Sequence, residues 1–148
     1  MKIDFNYQFI TLDGEKIPER PDEEIVDKDG KKTTKKYPPF TLKKISENVL
    51  LMPDMDGTGK QKEMDGEEKC ERYDLAMRIH KATAKDLADL QVEEIALLKK
   101  LIARGYSTLV VGQAFNILDP HGAAEKKAES QEKPESHGTS EEKSGKDN

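Results

Sequence analysis

Ile3, Phe5, Tyr7 and Phe9 alternate with Asp4, Asn6 and Gln8, the period of two expected of a strand with one buried face. Asp13-Gly14 follows, a dipeptide that tolerates positive φ in a tight turn, so a hairpin is expected to return through Glu15 to Ile17 and stop at Pro18. A second, weaker hairpin is expected from Ile25-Val26, a turn at Lys28-Asp29-Gly30, and a return over Lys31 to Tyr37. So small a sheet needs helices over one face to bury Phe5 and Phe9.

From Pro39 the period lengthens to that of a helix. Thr41 suits the N-cap of a helix whose Leu42, Ile45, Val49 and Met52 share a face, with Pro53 as its stop. A polar, glycine-containing loop covers 54–65. Asp65 with Glu68 three residues on has the form of a capping box, and the helix after it carries Tyr73, Ala76, Met77 and His80 on one stripe with Leu75 and Ile79 beside it. The spacing predicts a third helix over 92–104, with Ile95, Leu98 and Ile102 inward, Lys99 and Lys100 outward, and Gly105 as a left-handed C-terminal cap. Ser107 precedes a final apolar stretch. Residues 108–111 suit a strand equally well, but Ala114, Phe115 and Leu118 continue the 3.6 spacing and favour a helix. The chain has no internal repeat. The expected fold class is α+β: an N-terminal β-hairpin region packed against three to four short helices, followed by a disordered C-terminal tail.

Composition explains that tail. The chain has 148 residues, 34% hydrophobic, 37% charged and 5% aromatic, close to the limit at which burial offsets ordering entropy. From His121 onward the only hydrophobic side chains are Ala123, Ala124 and Ala128. Without residues 120–148 the apolar share rises to about 39%, near that of an ordinary small domain. A single α+β domain over 1–119 with a solvated tail of mixed charge over 120–148 is therefore expected. One cysteine excludes a disulfide framework or a thiolate zinc site. No apolar run approaches the roughly 18 residues of a membrane span, and the N-terminus lacks a signal-peptide core, so a soluble intracellular protein is the expectation.

Three patterns bear on function. The loop 54–65 places Asp54, Asp56, Thr58 and Asp65 at positions 1, 3, 5 and 12 of an EF-hand-type calcium loop, with Gly59 at position 6. It departs from that pattern in the short arm of Asp65, in the polar Gln61 at position 8, and in Pro53 directly before the loop. The alternative is a polar turn in which Asp and Gly serve the backbone. Lys31, Lys32, Lys35 and Lys36, followed by Tyr37, form the one concentrated basic segment. Such a patch can neutralise phosphates, or it can guard an edge strand against pairing. The net charge of −5 favours the second reading. Finally, Leu50, Leu51, Met52, Met55, Val110, Val111 and Phe115 are candidates for an exposed apolar patch that takes a protein partner, the alternative being that they complete the core.

Catalytic chemistry finds little support. Cys70 and His80 are separated by roughly 15 Å along one predicted helix, too far for a hydrogen-bonded dyad. Glu67, Glu68, Glu71, Glu93 and Glu94 lie near helix starts, where the helix dipole accounts for them. There is no P-loop, G-x-G-x-x-G, H-E-x-x-H or G-x-S-x-G motif. The expectation is a protein that is not an enzyme and needs no cofactor.

Residues 71–80 (ERYDLAMRIH), 92–102 (VEEIALLKKLI) and 109–118 (LVVGQAFNIL), with 10–15 (ITLDGE) and 40–42 (FTL), resemble a group of small tailed-bacteriophage and prophage proteins. The resemblance spans most of 1–119 and none of the tail. It carries no functional residues across. It implies a phage-encoded, non-enzymatic accessory protein of the bacterial cytoplasm that binds a phage structural or host protein, for instance as an assembly chaperone.

Overall fold

In the computed structural model, which describes residues 1–122 and 125, the change from period two to period 3.6 falls at Thr41. In chain order the elements are β1 (Lys2–Ile3), β2 (Glu23–Val26), β3 (Lys32–Lys35), α1 (Leu42–Leu51), α2 (Gly66–Lys81), β4 (Ala88–Asp89), α3 (Val92–Gly105) and α4 (Thr108–Leu118). The class is α+β, with two small antiparallel sheets, β1 with β4 and β2 with β3.

Thr41 caps α1 as its sequence suggests: its Oγ1 accepts from the Lys44 amide at 3.2 Å. The free amides of Leu42 and Lys43 donate to the carbonyls of Tyr7 at 2.9 Å and Phe5 at 2.7 Å. The alternating N-terminal segment therefore completes the first turn of a helix. It is not one continuous strand. Only Lys2 and Ile3 join a ladder, pairing with Asp89 and Ala88. The hairpin centred on Asp13-Gly14 does form, bridged between Ile10 and Lys16, with Gly14 at φ 88°. Beyond it Ile17 lies between Phe9 and Phe40, its amide donating to the Phe9 carbonyl at 2.9 Å and its carbonyl accepting from the Phe40 amide at 2.8 Å.

α2 begins at Asp65, whose carboxylate accepts from the Glu67 amide at 3.3 Å. Glu68 does not close the expected capping box; it reaches along the helix to Arg72 at 3.1 Å. The buried face is Arg72, Leu75, Ala76 and Ile79. The expected stripe is thus rotated, with Tyr73 and His80 facing solvent and Met77 half-buried. α3 opens with a capping box between Gln91 and Glu94 and buries Ile95, Leu98, Leu101 and Ile102. Gly105 is its last helical residue and keeps negative φ, so it is not the left-handed cap. Tyr106 ends the helix in extended conformation, its amide donating to the Ile102 carbonyl at 3.1 Å. Residues 108–111 are helical, as the first turn of α4.

α1 packs on α2 and α3, and α3 packs on α4. Phe5, Phe9, Leu42, Ile45, Ile79, Leu98, Ile102 and Leu118 meet in one core from which solvent is excluded. Gln113 ties α4 to the N-terminal segment. Its Oε1 accepts from Tyr7 Oη at 3.0 Å and the Ile10 amide at 3.1 Å, and its Nε2 donates to the Ile10 carbonyl at 2.8 Å. After α4, Pro120 starts a helical turn over 120–122, capped by Asp119, whose Oδ1 accepts from the Gly122 amide at 2.9 Å. Helical conformation thus extends past the expected boundary at 119. The remainder of the expected tail lies outside the described residues.

Candidate functional site

The structure divides the expected apolar patch. Leu50 and Val110 enter the core. Val111 packs half-buried against it, and Phe115 is half-buried beneath Lys99, whose Nζ lies 4.9 Å from the ring centroid. The α4 half of the patch is therefore not a free apolar surface: Val110 is buried, Val111 packs against the core, and Phe115 lies under the Lys99 ammonium group. The α1 half persists. Leu51, Met52 and Met55 are 61%, 62% and 58% exposed.

Leu51 and Met52 belong to the wall of a cleft of about 410 Å³, between the end of α1, residues 53–64 and the first turns of α2. Met64, Lys62, Lys69, Arg72 and Tyr73 also line it. Two local features shape it. Pro53 stops α1 while its last apolar residues still face outward, and residues 54–62 fold back as a short hairpin. In that hairpin the Asp56 amide donates to the Lys60 carbonyl and the Lys62 amide to the Asp54 carbonyl, both at 2.7 Å, with Gly59 at φ 82° in the turn.

The hairpin and the start of α2 engage the carboxylates of the calcium pattern. Asp54 accepts from Arg72 Nη1 at 3.2 Å and Nη2 at 2.9 Å. Asp56 Oδ1 accepts from the Thr58 amide at 2.8 Å, Thr58 Oγ1 at 2.6 Å and the Lys60 amide at 3.0 Å. Asp65 caps α2. The 54–65 segment is a ladder and a helix cap where the calcium reading needs a wrapping loop. Among the described residues no three His, Cys, Asp or Glu side chains gather as metal ligands would.

Arg72 is the group that sequence reasoning missed. Its side chain is only 5% exposed, and such a charge is tolerated inside only when paired. The pairing with Asp54 and Glu68 supplies this, although Arg72 Nε is buried without a partner. The Arg72 hydrogen bonds hold Asp54 below the ordinary carboxylate range and raise the guanidinium in turn. The Glu68-to-Arg72 spacing was visible as an i,i+4 pair. The partner 18 residues away was not.

No family model, curated protein or solved structure matches this chain.

The second surface is an arm. Residues 20–36 are all exposed, and β2 packs substantially only on β3. Lys31, Lys32, Lys35 and Lys36 all belong to the second strand of this arm and its ends, with Gly30 at φ 76° in the turn. At its root Tyr37 Oη donates to Glu23 at 2.8 Å, which raises the phenol above its ordinary range. Arg20 and Lys35 place their cationic groups 5.8 and 5.3 Å from the Tyr37 ring centroid. Below that clasp the chain is pinched: Pro18 bridges Pro39, and the Glu19 amide donates to the Pro38 carbonyl at 2.9 Å.

The reactive side chains remain scattered. Cys70 is exposed. His80, expected on the apolar stripe, stands in solvent with Nδ1 2.9 Å from Glu47 Oε1. No helix among the described residues is long and apolar enough to cross a membrane.

Proposed function

We propose that the protein is a non-enzymatic phage or prophage accessory factor that acts by binding another protein, a phage structural or host protein, in the bacterial cytoplasm. The observation that carries this reading is the cleft beside α1, where Leu51, Met52 and Tyr73 are each more than half exposed around one concavity. Apolar groups gathered in this way give a partner's apolar anchor a place to be buried, while Lys62 and Lys69 at the cleft can meet acidic groups around it. An assembly chaperone works by such reversible covering of another protein's apolar surface, with no chemical step.

Burying a Leu or Met side chain contributes about 1.5–3 kcal/mol. The double substitution Leu51→Asp and Met52→Asp is therefore expected to weaken capture by about 100-fold or more. The test is affinity capture from phage-infected or induced cells with the native chain and this variant, whose fold is checked by circular dichroism. Loss of one defined phage or host protein in the variant supports the reading. A partner captured equally by both chains refutes it.

A second reading has its own observation. Lys31, Lys32, Lys35 and Lys36 stand on a projecting two-stranded ribbon, an element that fits a nucleic-acid major groove. It predicts duplex binding that weakens steeply with salt and is lost when the four lysines become glutamine.

A further inference from the structure

The arm is polarised by strand. Asp22, Glu23, Glu24 and Asp27 lie on β2 and its ends; Lys31, Lys32, Lys35 and Lys36 lie on β3 and its ends. Its hydrogen-bonding phase follows from the register. Antiparallel pairs alternate between bonded and non-bonded positions. The Asp27 amide donates to the Lys31 carbonyl at 3.0 Å. With Val26 opposite Lys32, Ile25 opposite Thr33, Glu24 opposite Thr34 and Glu23 opposite Lys35, Thr33 and Lys35 bond inward to β2. The amides and carbonyls of Lys32 and Thr34 then point off the outer edge of β3. The sheet ends there, since among the described residues it has only two strands.

We propose that β3 is a docking strand: its open edge takes an acidic, extended segment of a protein partner as a third strand. Main-chain bonds to Lys32 and Thr34 supply the pairing. Lysines on both faces of β3 select acidic side chains on the incoming strand, since opposite charges on neighbouring strands attract. The same lysines repel β3 of a second copy. A duplex is the poorer occupant, because Glu23 sits directly opposite Lys35 and Glu24 opposite Thr34, placing carboxylates one strand spacing from the phosphates it would bring. This edge is remote in sequence from the cleft, so either site can fail without the other.

The test titrates the full, ¹⁵N-labelled chain with a capped heptapeptide, Glu-Val-Glu-Thr-Glu-Val-Glu. The expected result is saturable shifts centred on the Lys32 and Thr34 amides, with their hydrogen exchange slowed tenfold or more. Thr34→Pro deletes one outward amide and should abolish binding, as should Lys32→Pro; nuclear Overhauser contacts from Ile25 to Thr33 verify the ladder in each variant. Leu51→Asp should bind the peptide as the native chain does. Four results overturn the proposal: no saturable shift, binding retained in a proline variant whose ladder is intact, a tighter complex with duplex DNA than with the peptide, or self-association of the peptide-free chain through the arm.

Discussion

The helical body and the arm at 20–37 are built from one chain by opposite means. The body buries Phe5, Phe9, Leu98 and Ile102 completely, while Ile25 and Val26, the apolar residues of the arm's first strand, stay 47% and 60% exposed. A two-stranded hairpin with neither face covered is marginal in water. Its order comes from the Gly30 turn, cross-strand pairs and the Tyr37 clasp, whereas the body's comes from apolar burial. The difference teaches where each kind of change will be felt: the body determines whether the chain folds, and the arm is free to carry contacts that the fold does not need.

Substitutions at four positions, and hydrogen exchange on the native chain, can break or sharpen this contrast. Leu98→Ala, in the fully buried face of α3, should cost about 2–5 kcal/mol in urea unfolding; a loss below 1 kcal/mol would place the core elsewhere. Asp54→Ala, which leaves the Arg72 guanidinium with Glu68 alone, should cost about 3 kcal/mol. It also has a pH signature. The folded-state pKa of Asp54 is lowered by Arg72, so its stabilisation is present above the unfolded value near 3.8 and disappears as pH falls through the lower folded value. Asp54→Asn should flatten the acid limb of the stability curve there, and an unchanged limb would contradict the pairing.

Gln113→Ala removes the amide that satisfies Tyr7 and both polar groups of Ile10, for an expected loss of about 1–3 kcal/mol, read from the same unfolding curves. The smallest effect belongs to the arm. Ile25→Ala should change global stability by less than about 0.5 kcal/mol. Hydrogen exchange makes the same point without substitution. The inward-bonded amides of Ile25, Thr33 and Lys35 should exchange by local opening, and those of 98–102 only by global unfolding. Equal protection in both regions would mean that the arm folds with the body.

At α1 and at two turns the local signals are a reliable guide: Thr41 and Pro53 bracket α1, and Gly14 and Gly30 mark turns at which positive φ is required. At the ends of α2 and α3 they are not, since Glu68 bonds Arg72 and Gly105 keeps negative φ. The other readings that shifted depend on distant chain. The buried face of α2 turns toward Arg72 because Asp54 is there to receive it, and no period in 66–81 encodes that. Phe5 and Tyr7 alternate like strand residues, yet their carbonyls serve α1. For the site, Leu51, Met52 and Met55 were legible as surplus apolar residues beside a proline. Val110 and Phe115 were not separable from them, because α3 decides which side of α4 is inward. The lysines of 31–36 showed their charge in the sequence; that their strand borders open solvent is a property of the fold.

The pinch at Pro18 and Pro39 has a consequence for how the chain can change over time. Because the backbone meets itself there through the Glu19 and Pro38 groups, everything between is an excursion whose two ends are already neighbours. Lengthening a closed loop adds only about 0.6 kcal/mol per doubling. The segment can therefore be exchanged, extended or regrafted at small thermodynamic cost, which makes it a natural place for new specificities to be tried on a constant scaffold.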